Sequence, residues 1–103
     1  MTSDPVTTIT LDRPEQRNAV DRSLAGRLAE RFDAVAQGDV VVLRGAGAAF
    51  CAGWDLTDIT AAVTAGGDEP ALLLESGRRL LDAIDRSGAV VVAVVDGLAL
   101  GFG

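Results

Sequence analysis

The chain has 103 residues, a formal net charge of -6 and 49% hydrophobic residues, a composition typical of one small globular domain. Its acidity disfavours nucleic acid and anionic membrane surfaces as partners, and no apolar run approaches the roughly 20 residues of a membrane-spanning helix. Without histidine or lysine, and with one cysteine, the chain excludes Ser-His-Asp and Cys-His mechanisms, lysine Schiff bases and multi-thiolate metal sites of its own. We expect a cytoplasmic protein without a metal.

A strand and a helix are predicted in the first third of the chain. Val6 to Leu11 is rich in β-branched residues and predicts a strand that ends before Pro14. Asn18 or Asp21 is a candidate cap for the following helix, and Gly38 is predicted to stop it. The apolar residues of that helix recur at helical spacing and are Leu24, Leu28, Phe32 and Val35.

Two more strands flank a second helical region. The apolar run Val40 to Leu43 predicts a parallel strand buried on both faces, and Ala89 to Val95 predicts a third buried strand. Between them, Asp55 to Ile59 is predicted as a short helical turn and Thr60 to Asp68, with its two adjacent glycines, as a mobile connection. Glu69-Pro70 predicts a helix start. The expected apolar stripe of that helix comprises Leu72, Leu73, Leu80, Leu81 and Ile84.

The alternating order of strands and helices predicts an α/β fold with parallel strands and right-handed crossovers. Ligands of such folds gather at the carboxyl ends of the strands. The stretches Gly45 to Leu56 and Asp96 to Gly103 follow two of these strands, so we expect them to face one crevice. Gly45-Ala46-Gly47 begins like a dinucleotide fingerprint, but Phe50 stands where its third glycine belongs, which disfavours a Rossmann fold.

Three segments carry a further pattern, in the order Leu11 to Val20, Phe50 to Leu56 and Ala93 to Gly103. Together they resemble the crotonase superfamily, the enoyl-CoA hydratases and isomerases. The resemblance implies a crotonase-like ββα spiral with parallel strands and covering helices, of which residues 1–103 would form the N-terminal portion. It also implies a coenzyme A thioester as substrate, no separate cofactor and, for the completed protein, a homo-oligomer such as a trimer or hexamer.

The resemblance gives two aromatic residues a main-chain role. In the family, two backbone N–H groups polarise a thioester carbonyl and stabilise the enolate oxygen that develops during reaction. By position these are the amides of Trp54 and Phe102. The family residues at both positions are commonly small, so we expect the two rings to narrow or reshape the acyl pocket. The alternative is that Trp54 and Phe102 are only core aromatics.

The resemblance also places a coenzyme A path along the main chain. Its residues are Arg17, Ala19, Val20, Ala52, Gly53, Asp55, Leu56 and Gly101. Arg13, Arg17 and Arg44 are candidates to meet the phosphates, and solvated loop positions are the alternative for each. We expect Asp55 and Asp58 to cap the next turn rather than to act in catalysis.

The proton-transferring groups of a hydratase are not expected in this chain. The resemblance implies two catalytic glutamates, both at positions beyond Gly103. Glu69 and Glu75 are expected on a solvated helix face, and Cys51 as a small buried residue rather than a nucleophile. We therefore expect negligible hydratase activity from this chain. The alternatives are a non-catalytic remnant or assembly piece with weak or no coenzyme A binding, and another crotonase chemistry.

The third predicted strand raises an expectation about the surface. A strand that is apolar on both faces and lacks neighbours exposes apolar surface and a sheet edge. We therefore expect association or poor solubility unless another chain covers this region.

Overall fold

A computed structural model describes residues 6–103 and confirms the α/β class. Two of its strands, Ala49–Cys51 and Leu98–Ala99, are short additions that the sequence patterns did not predict. In chain order the elements are β1 (Val6–Leu11), a 3₁₀ turn (Pro14–Gln16), α1 (Arg22–Ala34), β2 (Val40–Gly45), β3 (Ala49–Cys51), α2 (Leu56–Ala65), α3 (Glu69–Arg86), β4 (Val90–Val94) and β5 (Leu98–Ala99).

The strands form two parallel sheets. β1, β2 and β4 make a three-stranded sheet with β2 at its centre, and Val41 of β2 pairs with Thr7 on one side and Val91 on the other. β3 and β5 make a separate two-stranded sheet. The core lies between the larger sheet and helices α1 and α3, where Ile9, Phe32 and other apolar side chains are buried. The predicted parallel order is confirmed.

Helix α1 begins where the sequence predicted and ends earlier. Asp21 is the N-cap, because its carboxylate accepts a hydrogen bond from the N–H of Leu24 at 2.7 Å. Asn18 is not a cap and has a different structural role. The helix ends at Ala34, so the predicted stop at Gly38 is wrong by several residues. Gly38 instead takes a φ of 87° in the turn that leads into β2.

The predicted mobile connection over Thr60 to Asp68 is wrong in its first half. Helix α2 continues to Ala65, and the buried side chain of Ala62 anchors it to the rest of the molecule. Alanine favours helix strongly enough to extend the turn, and Gly66 then ends the helix at a φ of 68°. The helical turn predicted from Asp55 is therefore the start of a longer helix.

Helix α3 begins at Glu69 as predicted, but its buried face is rotated from the expected stripe. Leu73, Gly77, Leu80 and Ala83 are buried, whereas Leu72 and Leu81 are each 51% exposed. Spacing of leucines alone did not reveal that a glycine and an alanine occupy the contact positions.

The side of the larger sheet that faces away from α1 and α3 is here called the outer face. Residues two apart along a strand share a face, so Val90, Val92 and Val94 of β4 lie there beside Val40 and Val42 of β2. The three β4 valines are 46–59% exposed, so the prediction that β4 is a buried strand is wrong for the described chain. The expected exposure of apolar surface is confirmed. Within residues 6–103 no helix is long and apolar enough to cross a membrane.

Candidate active site

The loops that follow β2 and β4 meet, as the sequence predicted. Their contact is the parallel pairing of β3 with β5. A third segment joins them, because Val20 forms an isolated parallel bridge with Trp54. The N–H of Val20 donates to the carbonyl of Gly53, and the N–H of Asp55 donates to the carbonyl of Val20, both at 2.8 Å. The peptide groups on either side of Trp54 are therefore fixed by main-chain hydrogen bonds.

Phe102 approaches this segment from the other loop. The N–H of Leu100 donates to the carbonyl of Cys51 at 3.0 Å, which ties the chain before Phe102 to β3. Gly53 has a φ of 100°, and a Cβ built on it would lie 2.9 Å from the Leu100 oxygen and 3.5 Å from the Phe102 nitrogen. Only glycine allows this close approach of two main chains. The segments that carry Trp54 and Phe102 are therefore adjacent.

The main-chain amides of Trp54 and Phe102 donate no hydrogen bond to any acceptor within residues 6–103. Neighbouring amides are used: those of Gly53 and Asp55, on either side of Trp54, have acceptors, and so does that of Gly103. Most main-chain donors in a folded protein are paired. Two main-chain donors on adjacent segments are therefore left unpaired within residues 6–103.

The side chains of these two residues pack against each other. The rings of Trp54 and Phe102 meet edge to face, with centroids 5.1 Å apart and an interplanar angle of 76°. Both rings are partly buried against the core, as the core-aromatic interpretation expected. The indole Nε1–H of Trp54 is buried and has no acceptor within the described chain. Packed rings and unpaired main-chain N–H groups thus occur at the same two residues.

A polar cleft lies on one side of Trp54. Its volume is about 470 Å³, and its lining residues are Glu15, Gln16, Arg17, Ala19, Ala52, Trp54, Asp55, Leu56 and Thr57. Five of the eight predicted coenzyme A contacts therefore share one cleft. The other three do not line it: Val20 and Gly53 are buried behind it, and Gly101 is exposed outside it.

Trp54 also lines a second, apolar pocket. Its volume is about 570 Å³, and it is lined by Trp54, Ile59, Ala62, Val63, Pro70, Leu73, Leu74, Gly77, Arg78, Leu81 and Phe102. Helices α2 and α3 supply most of this lining. Because Trp54 lines both cavities, a ligand with a polar part and an apolar part could pass its main chain while occupying both.

Arg13 is a structural residue rather than a free cation. Its guanidinium donates to the carbonyl of Ala19 at 2.6 Å and to the carboxylate of Asp55 at 3.3 Å, and it pairs with Asp21 at 3.6 Å. These contacts correct both earlier interpretations, a phosphate ligand and a solvated loop residue. Arg44 is exposed on β2 and does not line the polar cleft. Of the three candidate arginines, only Arg17 lies in the cleft.

Asp55 caps α2, as predicted. Its carboxylate accepts hydrogen bonds from the N–H groups of Thr57 at 2.8 Å and Asp58 at 3.2 Å. Burial by itself raises the pKa of Asp55, but these donors and the Arg13 guanidinium outweigh it and hold the pKa below its usual value. Asp58 is not a cap, because its side chain accepts from the N–H of Arg22 at 2.6 Å.

The sequence did not predict that the side chain of Asn18 would hold together the loops around the site. It is fully buried at a φ of 59°, and its amide nitrogen donates to the carbonyls of Ala46 and Ala49, each at 2.8 Å. Its side-chain oxygen accepts from the N–H of Arg13 at 2.9 Å. Asparagine tolerates the left-handed region, and that was the available signal. We call Arg13, Asn18 and Asp55 the polar junction.

The remaining candidate groups are occupied or buried. Glu69 pairs with Arg22 at 3.4 Å and Glu75 with Arg78 at 3.7 Å, on partly exposed helix surface as expected. Cys51 is 2% exposed, and burial raises the pKa of its thiol, which agrees with the prediction of a small buried residue. Neither glutamate lines the apolar pocket.

Comparison with known proteins defines the class. The structure resembles AtuE of Pseudomonas aeruginosa with a TM-score of 0.81 at 32% identity, over 94% of this chain and 39% of that chain. It resembles an enoyl-CoA hydratase/isomerase from Marinobacter aquaeolei with a TM-score of 0.76 at 30% identity, over 94% of this chain and 40% of that one. The fold is that of the crotonase-type enoyl-CoA hydratases.

The sequence shows the family. The model for the family described as enoyl-CoA hydratase/isomerase matches residues 1–103, and the chain belongs to that family. It is 38% identical over 103 residues to a probable enoyl-CoA hydratase of Mycobacterium tuberculosis (strain CDC 1551 / Oshkosh), covering 98% of this chain. It is 35% identical over 104 residues to a 1,2-epoxyphenylacetyl-CoA isomerase of Escherichia coli K12, covering 95% of this chain. The chain spans 39% of the length of each relative.

Proposed function

We propose that this chain forms the part of an enoyl-CoA hydratase or isomerase that binds the acyl-CoA thioester and polarises its carbonyl. The main-chain amides of Trp54 and Phe102 would donate to the thioester oxygen, and these bonds would strengthen as an enolate forms. The observation that carries the proposal is the pair of unpaired amides on two adjacent segments. Family membership supplies the class of substrate.

The two cavities support an orientation for the ligand. The coenzyme A part would lie in the polar cleft, where the exposed guanidinium of Arg17 is a candidate partner for its phosphates. The acyl part would enter the apolar pocket, where burial of its methylene groups favours binding. The thioester, at the junction between the two parts, would then pass Trp54.

We further propose that the 103-residue chain is inactive as a hydratase. Hydration requires groups that move protons near the acyl carbons. The only charged residue that lines the apolar pocket is Arg78, among the residues that the structure describes. Asp55, the buried carboxylate that lines the polar cleft, is held by Arg13 and by the start of α2. Among the described residues, no carboxylate lines the apolar pocket that would hold the acyl carbons.

Trp54 itself offers the test, because it is the sole tryptophan of the chain and lines both cavities. Its fluorescence would be titrated with butyryl-CoA and with the matched S-butyl-CoA thioether, which lacks the carbonyl oxygen. We expect the thioester to bind roughly 10-fold more tightly, as two modest hydrogen bonds predict. Equal affinity for the two ligands contradicts carbonyl polarisation. No response to either leaves only the alternative of a non-catalytic assembly piece.

A backbone ester isolates the donor. Incorporation of indole-3-lactic acid at position 54 replaces the amide N–H by oxygen and keeps the ring. We expect this change to reduce the thioester preference by about 3-fold or more, while thioether affinity stays the same. Phenyllactic acid at position 102 tests the second donor in the same way. Incubation of crotonyl-CoA with the unmodified chain, free of host enzyme, is expected to show no hydration above background.

A further inference from the structure

Gly77 lies in the interior of α3, where glycine is destabilising relative to alanine. A Cβ built on Gly77 would lie 3.2 Å from Cε1 of Phe102 and 3.4 Å from Cζ3 of Trp54. The other glycine inside a helix, Gly26 of α1, differs, since nothing lies within 4 Å of a Cβ built there. The glycine of α3 therefore has a specific neighbour on each of two segments, and both neighbours are aromatic rings.

The helix contacts the aromatic pair at a position without a side chain. Gly77 is buried, and atoms of both rings lie next to it. The two ring centroids are 5.1 Å apart. A methyl group at 3.2 Å would force the Phe102 ring to move by a few tenths of an ångström. One side of the Phe102 ring also packs on the core, which limits the directions in which the ring can move.

The same two residues carry the candidate donors. Trp54 is held on both sides by Val20, so its main chain resists displacement. Phe102 sits in a turn after β5, where the N–H of Gly103 donates to the carbonyl of Leu100 at 2.7 Å. Fewer main-chain hydrogen bonds therefore flank the Phe102 amide than the Trp54 amide, and we expect a displaced Phe102 ring to move its own amide first.

We propose that Gly77 is a positioning residue for carbonyl polarisation, a role that rests on the function proposed above. It lets both large rings pack on α3 without moving the Phe102 amide from its place beside Gly53. Donors of this kind act only when held within about 0.5 Å of the productive geometry. Position 77 of α3 has no side chain, and this leaves room for the two large rings. The rings can then pack on α3 while the main chain of Trp54 and Phe102 stays in place.

A second effect of a methyl group at position 77 has to be separated from the first. Gly77 also lines the apolar pocket, so a methyl there takes up acyl space. Loss of acyl space weakens the thioester and the thioether equally, because both ligands carry the same alkyl group. Displacement of the Phe102 amide weakens only the thioester, because only the thioester has an oxygen to accept the bond.

The experiment compares Gly77→Ala with Gly26→Ala and with the double variant Gly77→Ala/Phe102→Leu. Each would be titrated with butyryl-CoA and S-butyl-CoA, and urea unfolding would show that each folds. We expect Gly77→Ala to lower the thioester preference from roughly 10-fold to below about 3-fold, Gly26→Ala to leave it unchanged, and Phe102→Leu to restore it in the double variant by removing the ring.

The outcomes separate the two proposals. A thioester preference in the unmodified chain that persists in Gly77→Ala overturns the role of Gly77 and leaves the proposed function intact. Equal losses of thioester and thioether affinity in Gly77→Ala overturn it as well, in favour of a pocket-filling effect. If the unmodified chain shows no thioester preference, the proposed function fails and the positioning role fails with it. Should Gly77→Ala not fold, the folded double variant decides: a thioester preference below about 3-fold there overturns the role.

Discussion

The polar junction and the outer face of the sheet differ in how many of their groups have partners within residues 6–103. In the junction, Arg13, Asn18 and Asp55 find their hydrogen-bond partners among one another and nearby main chain. On the outer face, the β4 valines remain about half exposed. The difference teaches that the contacts around Trp54 are made within residues 6–103, whereas the outer face of the sheet has no cover among these residues.

The largest effect on stability is expected at Asn18. Asn18→Ala removes the three hydrogen bonds of a fully buried side chain and leaves the carbonyls of Ala46 and Ala49 without that partner. At about 1 kcal/mol for each bond, we expect the free energy of unfolding to fall by roughly 3 kcal/mol. Urea unfolding measures the loss. Exposed Gln16→Ala serves as the control, and a loss at Asn18 no greater than in this control would show that the junction is not a stabilising unit.

A smaller and pH-dependent effect is expected at Asp55. Its pKa is lowered in the folded state, so its carboxylate contributes stability above the unfolded pKa, and this contribution is lost as the pH falls through the folded pKa. Asp55→Asn should cost about 2 kcal/mol at pH 6 and progressively less below about pH 4.

The measurement for Asp55 is urea unfolding at a series of pH values from 6 downward, with Asp85→Asn on the exposed surface of α3 as the control. Parallel pH profiles for Asp55→Asn and the unmodified chain would contradict the assigned ion pair and cap.

The smallest effect on stability is expected on the outer face. Val92→Thr keeps a β-branched residue at a position that is 46% exposed, so the free energy of unfolding should change by no more than about 0.5 kcal/mol. The same substitution at Val41, which is fully buried on the covered face, should cost about 1–3 kcal/mol.

The exposed outer face also leads to a prediction about association between copies of the chain. We expect size-exclusion chromatography with light scattering to show concentration-dependent association of the unmodified chain, and a weaker association of Val92→Thr. A compact monomer at every concentration would show that the exposed valines do not drive contact between chains.

The sequence predicted the parts of the fold that depend on strong local patterns. Residue types close together in sequence were enough to predict three features. These are the strand at Val6–Leu11, the cap at Asp21 and the start of α3 at Glu69. The extension of α2 to Ala65 was missed because two glycines weighed more in the prediction than the alanines before them. The short strands β3 and β5 were missed because their pairing joins segments distant in the chain.

The resemblance indicated which segments carry the candidate site. The contacts of individual side chains became known only from the structure. The stretches that follow β2 and β4 were predicted to face one crevice, and the pairing of β3 with β5 confirms that they meet. The bridge between Val20 and Trp54 adds a third segment that this prediction did not include. The ion pair of Arg13 with Asp55 was not predictable, because 42 positions separate its partners in sequence. Gly77 carries no local signal apart from being a glycine inside a helix, and its neighbours appear only in three dimensions.

The bridge between Val20 and Trp54 makes the main-chain geometry at position 54 independent of the side chain at that position. Main-chain hydrogen bonds from Val20 hold both peptide groups around position 54, whatever side chain that position carries. Exchange of the indole for a smaller group would enlarge the apolar pocket and leave these main-chain hydrogen bonds in place. The role proposed for Gly77 depends on both rings, so we expect positions 54, 77 and 102 to vary together among relatives.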